Sequence, residues 1–327
     1  MTPYAGLKPP VAPGPDAPDR LARDVARGLA SDPPALPCMY FYDEAGSAIY
    51  DEITRLPEYY PPRAEAEILR EYGGDMLDRI GPCELVELGA GPATRTRILL
   101  DEVARRSWPL VFLPTDASRA MLGSSIEALR REYPGGSFEG VLGDYEATLA
   151  QLLPRRDRTL VFLGGTIGNL EDDEIGSLAA AAARALEPGG HFLVGFDRQA
   201  HPGKRAQTIH AAYNDAAGVT ARFNLNMLAR LNRELGADFD LAAWEHEAPY
   251  NTRHHRIEMF LRSKRDQQVR IPALDRTFFF PAGLRILTEI SRKFEPDRLV
   301  PLFQPFGLVA DWSDAQERFG MALFRRT

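Results

Sequence analysis

The central part of the chain alternates between short apolar runs and longer amphipathic runs. The apolar runs predict buried strands, and they cover residues 83–88, 110–114, 137–142, 159–163 and 191–195. Runs with helical spacing lie between them, at 94–105, 120–133, near Leu149, and at 172–186. Repeated strand–helix units of this length predict an α/β fold with a doubly wound parallel sheet.

The pattern changes after Asp197. Residues 201–235 have helical spacing, and 242–270 alternate between polar and apolar as antiparallel strands do. Three further elements are predicted: a helix at 286–294 and strands at 307–309 and 319–324, which could return to the first sheet. This change indicates a second domain.

A tight glycine turn follows the first strand of the α/β pattern. Glu87 and Leu88 are followed by Gly89, Ala90 and Gly91, and a predicted helix begins directly afterwards. Such a loop brings the backbone close to a ligand at a helix N-terminus. The third glycine of the dinucleotide fingerprint is missing. A cofactor without a pyrophosphate fits better, and we expect S-adenosylmethionine, with its amino-acid end near Gly89 and Gly91.

Small or polar residues follow the successive predicted strands. They are Gly89, Asp116, Asp144, Gly164 and Asn169. In open α/β sheets, ligands bind beyond the carboxyl ends of the strands. One shared cleft explains the set better than separate helix caps do.

Four side chains in this set or near it suit the parts of that cofactor. Asp116 could accept from the ribose diol, although it could also cap the next helix. Asp144 could accept from the adenine amino group, and Tyr145 could lie against the ring or merely pack. Arg95 could pair with the carboxylate, although a first-turn arginine is more often on the surface.

The composition excludes several classes of protein. The net charge of −7 over 327 residues argues against a nucleic-acid-binding surface. Cys38 and Cys83 are too few for a disulfide framework, so we expect free thiols in a cytoplasmic protein. Residues 1–18 are proline-rich, lack signal-peptide features and are expected to form an arm. We expect no membrane span and no metal site, since no Cys/His ligand spacing is present.

Nine segments of the chain resemble one known family. They are 41–47, 53–60, 87–91, 162–170, 213–220, 223–224, 231–239, 257–259 and 287–294. With these segments the chain resembles the histidine Nα-methyltransferases of ergothioneine biosynthesis, over about residues 38–327. The resemblance implies a class I methyltransferase (Rossmann-like) domain at 63–199 plus 292–327. It also implies an α+β substrate-binding domain at 19–62 plus 200–291.

The resemblance also assigns site residues. The implied substrate-binding set is Tyr42, Tyr59, Gly164, Asn169, Tyr213, Met259, Glu289 and Ser291. The implied cofactor-binding set is Gly89, Gly91, Arg95, Asp116, Asp144 and Tyr145. Tyr42 and Asn169 are the catalytic candidates, and Tyr42 could relay a proton through water. The family commonly has lysine at the position of Arg95 and serine at that of Gly165.

The predicted identity of the substrate depends most on Glu289. Its spacing alone would make it a helix-surface carboxylate paired with Arg292 or Lys293. The family match over Thr288–Ser291 instead implies that Glu289 and Ser291 bind an imidazole, while Tyr213 binds the carboxylate. A carboxylate buried without its partner is costly, so such a site would discriminate between rings.

We therefore expect an enzyme that trimethylates the α-amino group of L-histidine to hercynine. S-adenosylmethionine would be the methyl donor and would leave as S-adenosylhomocysteine. The alternatives are the same reaction on tryptophan or tyrosine, an NAD(P)-dependent oxidoreductase, and a catalytically silent ligand-binding relative. We expect a small-molecule amino-acid substrate, a monomer, and neither a nucleic-acid nor a membrane partner.

Overall fold

The computed structural model describes residues 7–8 and 18–327. Nearly all of the predicted N-terminal arm, 1–18, lies outside the described residues. In the described part, the α-helices are α1 (Pro18–Leu29), α2 (Glu44–Ile53), α3 (Pro61–Ile80), α4 (Thr96–Arg105), α5 (Arg119–Glu132), α6 (Tyr145–Gln151), α7 (Asp172–Ala185), α8 (Ala206–Tyr213), α9 (Val219–Leu235) and α10 (Pro296–Leu299).

The strands of the described residues follow the same numbering. They are β1 (Leu7–Lys8), β2 (Glu84–Glu87), β3 (Val111–Asp116), β4 (Ser137–Phe138), β5 (Gly140–Leu142), β6 (Arg158–Phe162), β7 (His191–Asp197), β8 (Trp244–Glu247), β9 (Tyr250–Asn251), β10 (Arg256–Ser263), β11 (Gln267–Ile271), β12 (Arg276–Phe280), β13 (Arg285–Arg292), β14 (Phe306–Ser313) and β15 (Phe319–Arg326).

The chain divides into two compact units. Of the described residues, unit 1 contains 7–8, 61–199 and 293–327, and unit 2 contains 18–60 and 200–292. Each unit therefore draws on separate parts of the chain, and each has its own apolar core.

Unit 1 is built on one mostly parallel sheet. Its strand order is β1-β5-β3-β2-β6-β7-β15-β14, with β4 also paired to β3. Strands β2, β3, β6 and β7 are parallel, whereas β15 runs antiparallel to β7 and β14 antiparallel to β15. The predicted doubly wound α/β fold is confirmed, and the last two strands do return to this sheet.

The order of the strands creates a switch point in unit 1. The chain passes from β2 outward to β3 and β5, then crosses back to β6 on the other side of β2. Ligands of doubly wound sheets bind beyond the carboxyl ends of the strands at such a point. The loops that begin at Gly89 and Gly164 follow β2 and β6, so they flank it.

Unit 2 combines helices with an antiparallel sheet. The sheet has the order β13-β10-β8, β9 also pairs with β10, and β11 and β12 form a separate hairpin. Helix α9 packs against β8 and β10, and α2 packs against α9. The alternating burial of β10, in which Ile257, Met259 and Leu261 are buried, is the pattern of a half-buried strand.

The predicted helix at 286–294 is wrong, because this segment forms β13 and pairs antiparallel with β10. The register shifts by one residue where Met259 opposes Glu289 but Phe260 opposes Leu287. Thr288 is the extra residue, and it forms a β-bulge. The bulge interrupts the two-residue alternation by which a strand is recognised in a sequence.

Candidate active site

The glycine loop after β2 is held by the end of β3. The backbone N–H of Gly91 donates to Asp116 Oδ2 at 3.0 Å, and the N–H of Ser118 donates to Oδ1 at 2.8 Å. The N-cap of α5 is Ser118, whose side chain accepts from the N–H of Met121. The Asp116 carboxylate therefore orders the loop, and the capping role is taken by another residue.

Asp144 and Tyr145 approach the same loop from the end of β5. The Asp144 carboxylate caps α6 by accepting from the N–H of Ala147 at 2.9 Å. The Tyr145 ring stands edge-on to Phe162, with the ring centres 4.9 Å apart. A Cβ on Gly89, where φ is +73°, would lie 3.3 Å from the Tyr145 ring. Only glycine combines that backbone conformation with so close an approach.

Two buried carboxyl groups lie beside the glycine loop, and sequence reasoning assigned a role to neither. Glu87 is 3% exposed, and burial raises its pKa to about 8, although the Thr96 hydroxyl and Arg95 act in the opposite direction. Glu65 on α3 is fully buried and lies with Oε2 2.6 Å from Nε of Arg95. The ion pair with Glu65 therefore fixes the position of the Arg95 side chain at the start of α4.

The loop after β6 contains two of the predicted residues. Gly164 has a φ of +80°, and its N–H donates to Glu65 Oε1 at 2.8 Å. A Cβ on Gly164 would lie 3.1 Å from Nη2 of Arg95. Asn169 ends a 3-10 turn, Thr166–Asn169, and is half-buried. Unit 1 thus brings together Gly89, Arg95 and Gly164 at the switch point.

Aromatic side chains gather in unit 2. The rings of Tyr59 and Tyr213 are 5.9 Å apart and edge-on, and Tyr50 stands between Tyr59 and Tyr42 at 6.5 and 5.5 Å. Tyr59 is 8% exposed, and burial raises its pKa well above the ordinary value. Tyr42 is 42% exposed. Tyr59 therefore remains a neutral phenol, and Tyr42 has direct access to solvent.

The bulge at Thr288 decides which face of the sheet carries Glu289 and Ser291. Residues directly opposite each other on antiparallel strands point to the same side. Glu289 opposes Met259 and Ser291 opposes Ile257, whereas on the other side of the bulge Ile286 opposes Leu261. The buried face therefore carries Ile286 before the bulge and Glu289 and Ser291 after it.

Tyr213, the last residue of α8, bonds to this face. Its hydroxyl lies 2.7 Å from the Ser291 hydroxyl, and its carbonyl oxygen lies 2.9 Å from His246 Nε2. Asn224 Nδ2 donates to His246 Nδ1 at 2.9 Å, so Nε2 carries the proton and donates to Tyr213. Asn224 Oδ1 accepts from the Thr288 hydroxyl at 2.8 Å.

These contacts form a chain of hydrogen bonds from Ser291 through Tyr213, His246 and Asn224 to Thr288 in the bulge. No role was predicted from the sequence for Asn224, which is fully buried on α9, or for His246. Burial lowers the pKa of His246, which keeps the imidazole neutral near pH 7. A neutral imidazole is what this chain of hydrogen bonds requires, since one nitrogen accepts and the other donates.

The predicted site residues thus fall into one group in each unit. In unit 1 they are Gly89, Gly91, Arg95, Asp116, Asp144, Tyr145, Gly164 and Asn169, and in unit 2 they are Tyr42, Tyr59, Tyr213, Met259, Glu289 and Ser291. Over residues 7–8 and 18–327, no group of three or more His, Cys, Asp or Glu side chains is arranged to hold a metal ion. Among the same residues, no helix has the length and apolar character needed to cross a membrane.

Comparison with known proteins identifies the family. The model described as histidine-specific methyltransferase, SAM-dependent, matches residues 21–326. The chain belongs to this family. As a member of this SAM-dependent methyltransferase family it is an enzyme, and both groups of site residues lie inside the matched range.

Similar curated proteins include two bacterial histidine N-alpha-methyltransferases. The protein from Mycolicibacterium smegmatis is 43% identical over 309 residues, which is 94% of this chain and 95% of its own. The protein from Mycobacterium tuberculosis is 44% identical over 93% and 94% of the two chains. The L-tryptophan methyltransferase trpM of Psilocybe serbica is 29% identical over 92% and 91%.

Among solved structures, the CcbJ methyltransferase from Streptomyces caelestis is similar over 84% of this chain and 98% of its own. Its sequence identity is 17% and the TM-score is 0.48.

Proposed function

We propose that this family member transfers methyl groups from S-adenosylmethionine to the α-amine of L-histidine. Three transfers would give hercynine and three molecules of S-adenosylhomocysteine. Membership of a SAM-dependent family supports the donor, and the two bacterial relatives support the acceptor.

The residues at the glycine loop fit the donor by charge. S-adenosylmethionine carries a sulfonium, an ammonium and one carboxylate. Arg95, Glu65 and Asp116 all act on Glu87, which is mostly protonated near pH 7 because its pKa is about 8. Ionised Glu65 and Asp116 together with the single cation Arg95 give the cluster one net negative charge. A guanidinium has five N–H donors, which allows Arg95 to bind the donor's carboxylate as well as Glu65. The cluster thus suits a ligand that is cationic overall.

Four residues would hold the nucleoside. Asp116 would accept from the ribose hydroxyls and Asp144 from the adenine amino group, with Tyr145 against the ring. Gly89 leaves the room in front of Tyr145 that a side chain would fill. When bound, the donor supplies an electrophilic methyl group on sulfur.

The observation that carries the acceptor's identity is the placement of Glu289 on the buried face of β10 and β13. Glu289 is half-buried and shares this face with Ile257, Met259 and Ile286, so its carboxylate can accept from a ligand that offers an N–H donor. An imidazole N–H is such a donor, and the Ser291 hydroxyl beside it can serve the ring as well. Tyr213 would then bind the acceptor's carboxylate.

The chain's part in the chemistry is mainly orientation. An α-amino group with a pKa of about 8–9 has a usable neutral fraction at mildly alkaline pH, so a strong base is not required. Asn169 would align the amine, Gly164 and Gly165 leave space for added methyl groups, and Tyr42 could pass the released proton to solvent. Alignment and exclusion of water supply most of the rate.

A second candidate substrate is tryptophan, because the 29% identical relative from Psilocybe serbica is named as an L-tryptophan methyltransferase. The decisive experiment incubates the protein with S-adenosylmethionine and each free amino acid, then analyses the products by mass spectrometry. We expect histidine to gain up to 42 mass units as three methyl groups, each adding about 14, with S-adenosylhomocysteine formed in step. Methylation of tryptophan or tyrosine in preference to histidine would refute the proposal.

We further expect the enzyme to act as a monomer in the cytoplasm on a free amino acid. Light scattering coupled to size-exclusion chromatography tests the first expectation, and a mass of twice 36.4 kDa would contradict it.

A further inference from the structure

Glu65 is the most deeply buried acid beside the switch point of unit 1. It lies in the first turns of α3, and its side chain is fully buried. One carboxylate oxygen accepts from the N–H of Gly164, and the other lies 2.6 Å from Nε of Arg95. A Cβ on Gly195 of β7 would lie only 2.3 Å from Oε1, so that glycine leaves the space the carboxylate occupies.

Burial of this carboxylate is expensive and needs compensation. A carboxylate removed from water is strongly destabilised unless it is paired and hydrogen-bonded. Burial raises the pKa of Glu65, and the charge of Arg95 with the Gly164 N–H opposes that rise. The buried Glu65 carboxylate therefore needs both contacts at once. A shift of the loop after β2 would break its contact with Arg95, and a shift of the loop after β6 would break its hydrogen bond with Gly164.

We propose that Glu65 is a positioning residue that holds Arg95 and the Gly164 backbone in one fixed arrangement. The inference rests on the proposed function, in which Arg95 binds the donor and Gly164 the acceptor. Glu65 contacts neither molecule in this scheme. It acts through Arg95 and Gly164, and so sets the distance between the loops that follow β2 and β6.

The test is a double-mutant cycle on the binding of S-adenosylhomocysteine, measured by calorimetry. Glu65→Gln keeps an oxygen for the Gly164 N–H but turns an amide toward Arg95 in place of the charge. We expect binding to weaken about tenfold, which is about 1.4 kcal/mol. In an Arg95→Gln background the same change should cost less than twofold, because the partner is already gone. Glu71→Gln, an exposed position on the same helix, is the control and should bind as the wild type.

Two results would overturn the inference: binding by Glu65→Gln within twofold of wild type, or an equal loss with and without Arg95. If Glu65→Gln does not fold, Glu65→Asp keeps the charge and replaces it in the cycle, with the same criteria. The measurement needs no amino-acid substrate. A wild-type protein that fails to methylate histidine would therefore refute the proposed function while leaving the test of Glu65 intact.

Discussion

The hydroxyl groups of Tyr213 and Ser291 lie 2.7 Å apart, although 78 positions separate the two residues in the chain. One ends α8 and the other follows the bulge of β13. Both belong to the chain of hydrogen bonds that continues through His246 and Asn224. Two of the residues proposed to bind histidine are thus fixed by each other before any ligand arrives.

The pair should be coupled in substrate binding. Tyr213→Phe and Ser291→Ala each remove one hydroxyl, and each is expected to raise the KM for histidine. Because the two hydroxyls share one hydrogen bond, the double variant should lose less than the sum, by about 0.5–1.5 kcal/mol. Steady-state kinetics of the four proteins measures the difference, and strict additivity would show that the hydroxyls act separately.

Glu289 should determine the selectivity for the imidazole ring of the substrate. Glu289→Gln is expected to lower kcat/KM for histidine by about 10- to 100-fold, since a charged hydrogen bond is lost. Activity on tryptophan should change far less. The control is Glu258→Gln, because Glu258 lies on the other face of β10 and pairs with Arg256 at 2.7 Å. An equal loss for both amino acids would mean that Glu289 does not contact the imidazole.

Gly164 should tolerate no side chain. Gly164→Ala combines a φ of +80° with a Cβ only 3.1 Å from Nη2 of Arg95. We expect a loss of about 1–2 kcal/mol of stability and weaker binding of S-adenosylhomocysteine. Gly176→Ala on α7 is the matched control, because nothing lies within 4 Å of the added Cβ, and it should be neutral or slightly stabilising. Chemical denaturation and calorimetry provide the two measurements.

Glu87 should make the stability of the ligand-free protein depend on pH. Its pKa is about 8 when folded and about 4.5 when unfolded, so the folded state binds more protons between these values. The contribution is complete below about pH 4.5 and is lost as the pH rises toward 8. Glu87→Gln should therefore flatten the decline of the melting temperature between pH 5 and 8. A variant whose profile runs parallel to that of the wild type would argue that Glu87 is ionised in the folded protein.

His246 should have the opposite effect. Burial lowers its pKa in the folded state, so the unfolded chain binds the proton more readily. Its contribution is complete above the unfolded pKa of about 6.5 and is lost as the pH falls below it. His246→Asn should make the wild-type loss of stability between pH 6.5 and 5 less steep. The exposed His254→Asn is the control, and a change of slope there as large as at His246 would contradict the assignment.

Much of unit 1 could be predicted, because its strands are continuous apolar runs that end in glycine or acidic residues. The position of Gly89 and Gly164 at the carboxyl ends of neighbouring parallel strands follows from that pattern and from general rules for α/β sheets. The strand order itself came from the structure. The return of the last two strands was predicted too. The roles of the individual site residues remain predictions for the experiments above.

Other features could not be read from the pattern. Residues 286–294 were predicted as a helix because the bulge at Thr288 hides the alternation of β13. Glu65 and Asn224 are polar residues on helices, and nothing in their local sequence reveals that they are fully buried. Their burial depends on the packing of segments that are distant in the chain. The supporting roles of Glu65 and Asn224 could therefore be recognised only in the structure.

The extra residue at position 288 has a consequence for how substrate preference in such a protein could change. Strand β13 presents Ile286, Glu289 and Ser291 on the buried face only because Thr288 is left unpaired. Regular pairing without the bulge would place Thr288 opposite Met259, and Glu289 and Ser291 would turn to the other face. A change of substrate preference can thus follow from loss of the bulge while every side chain of β13 stays the same, a kind of variation that comparison of aligned positions alone overlooks.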